Sequence, residues 1–388
     1  MLGNDIQIKQ LVGVGDVNLS FQPGQRVYCL IGENGIGKTK CLEALFRAYF
    51  STNKLLFQLY FKGNHSFEAI DIEKNIFKRV FNFGQTSILT YPDPKQVRKK
   101  NGALFFPEHE MALVYIDTFE RTNHKNNQVG IKRINELVFR NKYYLDDLND
   151  IANNDSEYIS FKDRSNVHEW VIQRAYSANP YQAKEDNREI EITSLLEVLN
   201  EMDERIDSKF LEITGDNRVF IKVADKKTEL SELSSGFASI LKIMQSIIAG
   251  YSYFTNETNI AHVKGVVFID EIESHLHTKW QATIIPTLKR LFPNTTFYIT
   301  THSAIVLSQL QHGEAYELYR DKTDGVVKTE LIEHPNNAAF VDLLKDAFDV
   351  DINKLKLARD NAPQQKNAKK MLSELLEKRI NELKEGTQ

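Results

Sequence analysis

The sequence is poor in cysteine and has no long apolar run. Its only cysteines are Cys29 and Cys41, which are not in C-x-x-C spacing. We therefore expect neither a disulfide framework nor a cysteine-bound zinc site. No stretch approaches the roughly 18 unbroken apolar residues of a membrane helix. The first ten residues are too polar for the apolar core of a signal peptide, so we expect a cytoplasmic protein without a membrane segment.

Charge of one sign and histidine metal motifs are also lacking. The chain carries 49 Lys and Arg residues against 53 Asp and Glu residues, a formal net charge of −4. This balance argues against a protein whose whole surface binds nucleic acid, although a local basic groove stays open. No H-E-x-x-H motif is present, and His275 and His277 are spaced i, i+2. A histidine-bound metal site is therefore not expected.

Residues 32–39 form the strongest motif that is present. They read Gly-Glu-Asn-Gly-Ile-Gly-Lys-Thr and match the phosphate-binding pattern G-x-x-x-x-G-K-[ST] at every fixed position. An apolar run of strand length, 27–31, precedes them, and 41–50 has apolar residues at helical spacing. Glycines let the backbone N–H groups of such a loop surround a phosphate at a helix start. The residues expected to contact the nucleotide are Asn34, Gly35, Gly37, Lys38 and Thr39.

The last two residues of this loop predict the cofactors. Lys38 would reach the β- and γ-phosphates and the Thr39 hydroxyl would hold Mg²⁺, so ATP and Mg²⁺ are expected. The alternative is a glycine-rich turn with an incidental Lys-Thr pair. The strand before the loop and the helix after it favour the nucleotide interpretation.

Two later strand ends supply candidate catalytic groups. Residues 266–271 read Val-Val-Phe-Ile-Asp-Glu, which is typical of a buried strand ending in carboxylates. Asp270 would hold Mg²⁺, directly or through water, and Glu271 could take a proton from the attacking water. Residues 297–300 predict a strand ending near His302, which we expect to contact the γ-phosphate. Alone, Asp-Glu can be an ordinary strand end and a lone histidine is more often structural. The phosphate-binding loop favours the catalytic interpretation.

A second helix start has a sequence that suits an anion. Residues 233–236 read Leu-Ser-Ser-Gly and open an apolar helix that continues through 247–248. A polar start that contains glycine leaves backbone N–H groups available for an anion. Capping serines are common before helices, so this motif is weak by itself.

The pattern along the chain predicts a mixed sheet and four parts. Residues 1–125 would form an N-terminal ATPase lobe, in which antiparallel strands within 4–31 lead into the loop. Residues 126–212 would be a mainly helical insertion, without the sustained heptads of a coiled-coil arm. Residues 213–335 would complete the ATPase. Residues 336–388 would form an amphipathic helical tail, which packs on the body or meets a partner.

The weakest pattern lies in residues 53–110. Short apolar runs alternate there with polar segments, and the basic stretch 95–100 reads Lys-Gln-Val-Arg-Lys-Lys. Such a stretch is usually a solvated loop, with contact to phosphate or to an acidic partner as the alternative. We predict a loop there.

Five motifs stand in a fixed order, and that order resembles the ABC-type ATPases. They are residues 32–39, 233–236, 270–271, 274–277 and His302. Within that group the chain is similar to the soluble branch that includes RecF, the SMC heads and the OLD-family ATPases. Residues 270–281 (Asp-Glu-Ile-Glu-Ser-His-Leu-His-Thr-Lys-Trp-Gln) and 300–303 (Thr-Thr-His-Ser) look most like ATPase subunits of bacterial phage-defence operons such as PARIS and Septu.

The resemblance implies an α/β P-loop NTPase fold of ABC-ATPase type. Its elements would be a mixed sheet, an antiparallel N-terminal β-subdomain, a helical insertion and a helical C-terminal tail. Two ATP molecules would be sandwiched between two heads, with Ser234 and Gly236 contacting the γ-phosphate held by the other subunit. His302 would sense the γ-phosphate, and residues 274–277 would form a loop across the dimer interface.

The chain departs from the family pattern in two places. Ser235 stands where glycine is usual, which is common in this branch. Phe237 stands where a polar residue is usual, a change that could slow hydrolysis or alter coupling. The glutamine of the Q-loop is not identified, although residues 117–121 lie in the right region. OLD nucleases carry a Toprim domain after the ATPase, and the residues after His302 contain no apolar strands that deliver its carboxylates. We therefore expect no nuclease activity in this chain.

The sequence thus predicts an ATP hydrolase that turns over slowly in a head-to-head homodimer, within a larger homo-oligomer. It would act as sensor and scaffold for a separate effector, a nuclease or toxin, in antiphage defence, with a phage protein or DNA as trigger. The competing prediction is a RecF- or SMC-like repair ATPase that acts directly on DNA. A transporter subunit fits poorly, because the helical insertion and the Glu-Ser-His-Leu-His loop are not that branch's usual pattern.

Overall fold

The computed structural model describes residues 3–54, 65–71, 76–92, 97–100, 103–105, 108–118, 166–178, 186–338 and 369–375, with isolated positions at 95 and within 136–144, 181–183 and 342–354. The strands of this part are β1 (Asp5–Leu11), β2 (Gly15–Ser20), β3 (Val27–Gly32), β4 (His65–Asp71), β5 (Ile76–Phe83), β6 (Thr86–Thr90), β7 (Arg98–Lys100), β8 (Ala103–Phe105), β9 (Ala112–Ile116), β10 (Ile206–Ile213), β11 (Val219–Val223), β12 (Lys226–Glu229), β13 (Gly265–Ile269), β14 (Thr295–Thr300), β15 (Ala315–Arg320) and β16 (Val327–Leu331). The helices are α1 (Lys38–Thr52), α2 (Val167–Ser177), α3 (Glu189–Met202), α4 (Ser235–Ser252), α5 (Thr278–Gln281), α6 (Ile284–Leu291) and α7 (Ala304–Leu307).

A mixed sheet of 11 strands runs through the described part in the order β4-β5-β6-β1-β2-β16-β15-β3-β14-β13-β9. The strands β3, β14, β13 and β9 are parallel neighbours, and β3, β13 and β9 are buried along their whole length. At the other end, β4, β5, β6, β1 and β2 pair in antiparallel fashion. Parallel strands covered on both faces need continuous apolar runs, which is why their sequences are recognisable. The predicted α/β fold, with a mixed sheet and antiparallel N-terminal strands, is confirmed.

Side chains of the parallel strands alternate between two hydrophobic cores. On β3, Cys29 and Ile31 belong to one core, whereas Tyr28 and Leu30 belong to the other. The first core includes residues of α2, α3 and α4, and the second includes residues of α1 and of the N-terminal strands. Each fully buried large aliphatic side chain contributes about 1.5–3 kcal/mol. Because both faces are covered, the carboxyl ends of the strands are where a ligand can reach the sheet.

An aromatic row crosses the second core. Tyr115, Phe268, Tyr298 and Tyr28 occupy matching positions on β9, β13, β14 and β3. Their successive ring centroids are 6.4, 5.2 and 4.9 Å apart, and the rings are nearly parallel. The hydroxyls of Tyr49 on α1 and of Tyr298 lie 2.9 Å apart, and burial raises the pKa of Tyr49 to about 12. These contacts tie α1, and with it the loop before α1, to the sheet.

The helices α2 and α3 carry a buried ionic cluster. Glu191 on α3 accepts hydrogen bonds from Nε of Arg174 at 2.9 Å and from Nε of Arg188 at 2.5 Å. Nη1 of Arg140 lies 3.8 Å from the same carboxylate and donates to the carbonyl of Ser252 at 2.8 Å. The three guanidinium side chains and Glu191 are all buried. The cluster therefore joins α2 and α3 to the last residue of α4. The division of the chain into four parts stays a prediction.

Within residues 53–110, one prediction is wrong and two strands carried no prediction. Strands β4 and β5 lie where the sequence pattern predicts none, and Arg98–Lys100 forms β7, which pairs with β8. The loop prediction for residues 95–100 is therefore wrong for the last three of them. Antiparallel pairing depends on backbone hydrogen bonds, so the basic residues of β7 can pair with Ala103–Phe105 without an apolar pattern of their own.

Part of the predicted tail helix is described. Residues 369–375 are helical, and Met371, Leu372 and Leu375 are 60–65% exposed. The rest of that predicted helix lies outside the described residues. Across the part of the chain that the structure describes, none of the helices combines the length and the apolar character needed to cross a membrane.

Candidate nucleotide-binding site

The loop between β3 and α1 has the backbone shape of a phosphate-binding loop. Gly32, Gly35 and Gly37 adopt φ angles of 140°, 80° and 107°, a region that other residues rarely enter. A Cβ at Gly32 would lie 2.6 Å from the carbonyl oxygen of Leu318, and one at Gly37 would lie 2.6 Å from Cγ2 of Val14. Backbone geometry and close packing therefore both require glycine at positions 32 and 37.

Lys38 lies in the loop with its ammonium group over the loop backbone. Its Nζ donates hydrogen bonds to the carbonyls of Gly32 and Glu33, both at 2.9 Å. Burial lowers the pKa of Lys38, and the carboxylates of Asp270, Glu271 and Glu273 oppose this shift. These carboxylates therefore act electrostatically on the Lys38 ammonium group, which places its positive charge near the end of β13.

Thr39, in the first turn of α1, faces Asp270 at the carboxyl end of β13. Oγ1 of Thr39 donates to Oδ2 and Oδ1 of Asp270 at 3.0 and 3.1 Å. Oγ1 of Thr300, at the end of β14, donates to the same carboxylate at 2.6 Å. Mg²⁺ prefers hard oxygen ligands, and in nucleotide sites it uses one or two protein groups with phosphates and waters. A hydroxyl and a carboxylate at this distance fit that requirement.

Glu271 has a strained backbone and a held carboxylate. Its φ angle is 44°, which is uncommon for a residue other than glycine and is frequent at functional sites. Its backbone N–H donates to Oγ1 of Thr300 at 2.7 Å, and its Oε2 accepts from Oγ of Ser274 at 3.0 Å. The hydroxyls of Thr300 and Ser274 thus fix the backbone and the side chain of Glu271, respectively.

Glu273 binds the segment that follows β14. Its carboxylate accepts hydrogen bonds from Oγ1 of Thr301 and from the backbone N–H of His302, each at 2.6 Å. Thr301 is buried, whereas His302 is exposed. The residues after β13 and those after β14 therefore form one connected unit at the sheet edge.

The Leu-Ser-Ser-Gly motif packs on residues 274–277 of its own chain. Ser234 caps α4, with Oγ accepting from the backbone N–H of Phe237 at 3.4 Å. A Cβ at Gly236 would lie 3.0 Å from the carbonyl oxygen of His275, so only glycine fits without a shift. Phe237 is buried, and its ring centroid lies 6.0 Å from that of Trp280. The aromatic partner explains why an apolar residue stands at position 237.

The residues predicted from the sequence fall into two groups. One group lies on the phosphate-binding loop and at the ends of β13 and β14: Asn34, Gly35, Gly37, Lys38, Thr39, Asp270, Glu271 and His302. The other, Ser234 and Gly236, lies at the start of α4 against residues 274–277. Their roles toward a nucleotide stay predictions. Sequence patterns did not point to Thr300 or Glu273, because their contacts depend on the order of the strands.

Comparison with known proteins gives a family match over most of the chain. The family model described as "AAA domain, putative AbiEii toxin, Type IV TA system" matches residues 27–308. All five motifs of the sequence, from the phosphate-binding loop to His302, fall inside that range.

The sequence identity to individual relatives is low. The Septu protein PtuA of Bacillus thuringiensis is 22% identical over 331 residues, which cover 84% of this chain and 78% of that protein. The Retron Vc95 probable ATPase of Vibrio cholerae serotype O1 biovar El Tor is 30% identical over 234 residues, which cover 56% of this chain and 44% of that protein. Among solved structures, the SmcHead bound to the C-winged helix domain of ScpA aligns with a TM-score of 0.43 and 11% identity, over 85% of this chain and 98% of that chain.

Proposed function

The chain belongs to the AAA-domain family whose model covers residues 27–308, and from this premise we propose an ABC-type ATPase that works as a head-to-head dimer. It hydrolyses ATP slowly and serves as sensor and scaffold for a separate effector, a nuclease or toxin, in antiphage defence. ATP binding sets the shape of the assembly, and a phage protein or DNA biases it.

The contact between Thr39 and Asp270 carries the nucleotide part of this proposal. It joins the phosphate-binding loop to the end of β13, at an oxygen separation of 3.0 Å. In our proposal these two side chains hold Mg²⁺, and Lys38 neutralises the β- and γ-phosphates. Mg²⁺, when bound, supplies positive charge to the phosphates on which negative charge develops.

Glu271 is the proposed general base. In our proposal the Ser274 hydroxyl, which donates to Oε2 at 3.0 Å, orients the carboxylate that takes a proton from the attacking water. Such a group contributes typically about 10²–10⁴-fold to a rate. His302 contacts the γ-phosphate from the end of β14 in this mechanism.

The start of α4 supports the proposed dimer. This helix has 18 residues, so its N-terminus at Ser234 and Gly236 offers N–H groups and a favourable dipole to an anion. We assign these two residues to the γ-phosphate held by a second copy, with residues 274–277 crossing the interface. A larger homo-oligomer and a cytoplasmic location belong to the same proposal.

The effector is inferred from the relatives. The family description names a toxin of a type IV TA system, and the relatives include a Septu protein and a retron ATPase. We propose that this chain is the ATPase of such a system and that a separate component is the effector. In this proposal the ATPase regulates the effector, and the effector is the nuclease or toxin.

ATP turnover with Lys38→Ala tests the enzymatic part. The wild-type protein should hydrolyse ATP in the presence of Mg²⁺, and the variant should lose both nucleotide binding and turnover. Lys54→Ala is the matched control, because Lys54 is an exposed lysine paired with Glu110 just beyond α1. Full ATP affinity in Lys38→Ala would contradict the phosphate-loop assignment.

Co-expression with the neighbouring genes tests the biological part. We expect a stoichiometric complex with a second protein of nuclease or toxin character, whose mass gives the subunit count. A lone oligomer whose turnover rises with added DNA, and whose DNA affinity falls steeply with salt, would instead support direct action on DNA.

A further inference from the structure

Glu273 connects the turn after β13 to the segment after β14. Its Oε2 accepts a hydrogen bond from the Thr301 hydroxyl, and its Oε1 accepts one from the backbone N–H of His302, each at 2.6 Å. Both oxygens of a single carboxylate therefore hold two consecutive residues. A charged acceptor makes such hydrogen bonds shorter and stronger than neutral ones.

The turn that carries Glu273 is itself well held. The backbone N–H of Ile272 donates to the carbonyl of Thr300 at 3.1 Å, and that of Leu276 donates to the carbonyl of Glu273 at 2.9 Å. Beyond His302, the hydroxyl of Ser303 donates to Oε1 of Gln281 at 2.8 Å. The segment from Thr301 to Ser303 is thus bonded at each of its residues to the region after β13.

We propose that Glu273 is a positioning residue that fixes the backbone of His302 and so sets the direction from which its imidazole meets the γ-phosphate. This inference rests on the proposed function, in which His302 contacts that phosphate. The backbone N–H of His302 is bound to Glu273, which leaves the side chain as the group that contacts the nucleotide. Glu273 acts through His302 and has no contact of its own with the nucleotide.

A double-mutant cycle distinguishes this positioning role from a general contribution to the stability of the fold. Glu273→Ala should lower the turnover number at least about tenfold, because an unanchored His302 spends little time in the productive orientation. In a His302→Ala background the same substitution should change turnover less than about twofold, since its target is gone. ATP affinity, measured by equilibrium titration, should stay within about threefold in all four proteins.

The conservative variant keeps the test interpretable if Glu273→Ala folds poorly. In Glu273→Gln, the amide oxygen can accept from the His302 N–H, and the amide nitrogen can donate to the Thr301 hydroxyl, whose own proton then turns away. We therefore expect Glu273→Gln to fold and to keep turnover within about threefold of wild type. Hydrogen exchange of the His302 amide should be fast in Glu273→Ala and slow in Glu273→Gln.

Glu314→Ala is the matched control. Like Glu273, the buried Glu314 has a carboxylate that accepts from one side chain, Lys289 at 2.6 Å, and from one backbone N–H, that of Gln311 at 2.9 Å. It lies before β15 and outside the proposed site. Its removal should lower the melting temperature and leave both the turnover number and the exchange of the His302 amide unchanged.

Two results would overturn the inference. One is a double variant whose loss of turnover equals the product of the losses in Glu273→Ala and in His302→Ala. The other is hydrogen exchange of the His302 amide that is the same in Glu273→Ala as in the wild type. The exchange measurement needs no turnover, so it decides the contact even if the wild-type protein fails to hydrolyse ATP. Absence of Lys38-dependent hydrolysis in the wild type would count against the proposed function instead.

Discussion

The carboxylates that follow β13 and the carboxylate of Glu191 have different kinds of hydrogen-bond partner. Asp270 and Glu271 accept their hydrogen bonds from threonine and serine hydroxyls. Glu191 is enclosed by guanidinium groups, and burial together with Arg188 lowers the pKa of Arg140 to about 10. A hydroxyl orients a carboxylate without neutralising it, and Lys38, whose charge acts on Asp270 and Glu271, donates hydrogen bonds to the carbonyls of Gly32 and Glu33. In our proposal, the type of partner, rather than burial, separates the reactive cluster from the structural one.

The largest effect should come from removing the proton acceptor at the edge. Glu271→Gln keeps an oxygen for the Ser274 hydroxyl but cannot take a proton, so turnover should fall by about 10²–10⁴-fold. The melting temperature and ATP affinity should hardly change. Steady-state hydrolysis and nucleotide titration check this, with the exposed Glu204→Gln as control. Unchanged turnover would show that Glu271 is not the general base. The carboxylates after β13 would then be no more reactive than the cluster around Glu191.

At the cluster around Glu191 we expect the reverse, a loss of stability without a loss of turnover. Glu191→Ala leaves buried guanidinium groups without their carboxylate and should cost about 3–5 kcal/mol of unfolding free energy. Turnover per folded molecule should stay within about twofold, because no residue of this cluster belongs to the proposed site. Urea denaturation measures the loss, with Glu197→Ala on the exposed face of α3 as control. A tenfold loss of turnover at full stability would break the comparison.

A neutral, half-buried histidine beside α1 gives a pH test. Nδ1 of His109 accepts from the backbone N–H of Met111 at 3.2 Å, so Nε2 carries the proton and donates to the carbonyl of Tyr49 at 2.9 Å. Burial lowers the pKa of His109 from 6.5 to about 4. Its stabilising effect is therefore complete above pH 6.5 and is lost as the pH falls toward 4, up to about 3 kcal/mol.

The measurement for His109 is the unfolding free energy from pH 8 to pH 4.5. His109→Gln should be less stable at neutral pH and should lose less stability on acidification than the wild type. Identical pH profiles for the two proteins would show that the imidazole is not held neutral by the fold. The ionic cluster around Glu191 should not contribute to this difference.

The smallest effect is expected from the hydroxyl that orients the base. Ser274→Ala removes the donor to Glu271 while keeping the backbone carbonyl that accepts from Ser239 at 3.1 Å. One such hydrogen bond is worth about 0.5–1.5 kcal/mol, which corresponds to a turnover about two- to tenfold lower at unchanged KM. Ser308→Ala, in a turn outside the site, is the control. A rise in KM without a change in turnover would contradict an orienting role.

How far the sequence predicts this molecule depends on whether a feature is local. The loop at residues 32–39 and the strand ending at Asp270 are contiguous patterns, so both were predictable. Glu273 and Thr300 were not, because the strand order brings β14 beside β13 and the sequence pattern does not encode that order. Strands β4 and β5 were not predicted, since antiparallel strands need no continuous apolar run. Phe237 was noted as a departure, but only its contact with Trp280 explains it.

The central claim is that the charged edge is an ATP site whose two halves come from two copies of the chain. Lys38→Ala retains an intact start of α4 but a defective loop, and Ser234→Arg retains the loop but blocks that helix start. Each variant alone should be inactive. An equimolar mixture should recover about a quarter of wild-type turnover, since half of the dimers then hold one intact composite site. A mixture as inactive as its components, under conditions where light scattering shows mixed dimers, would contradict the claim.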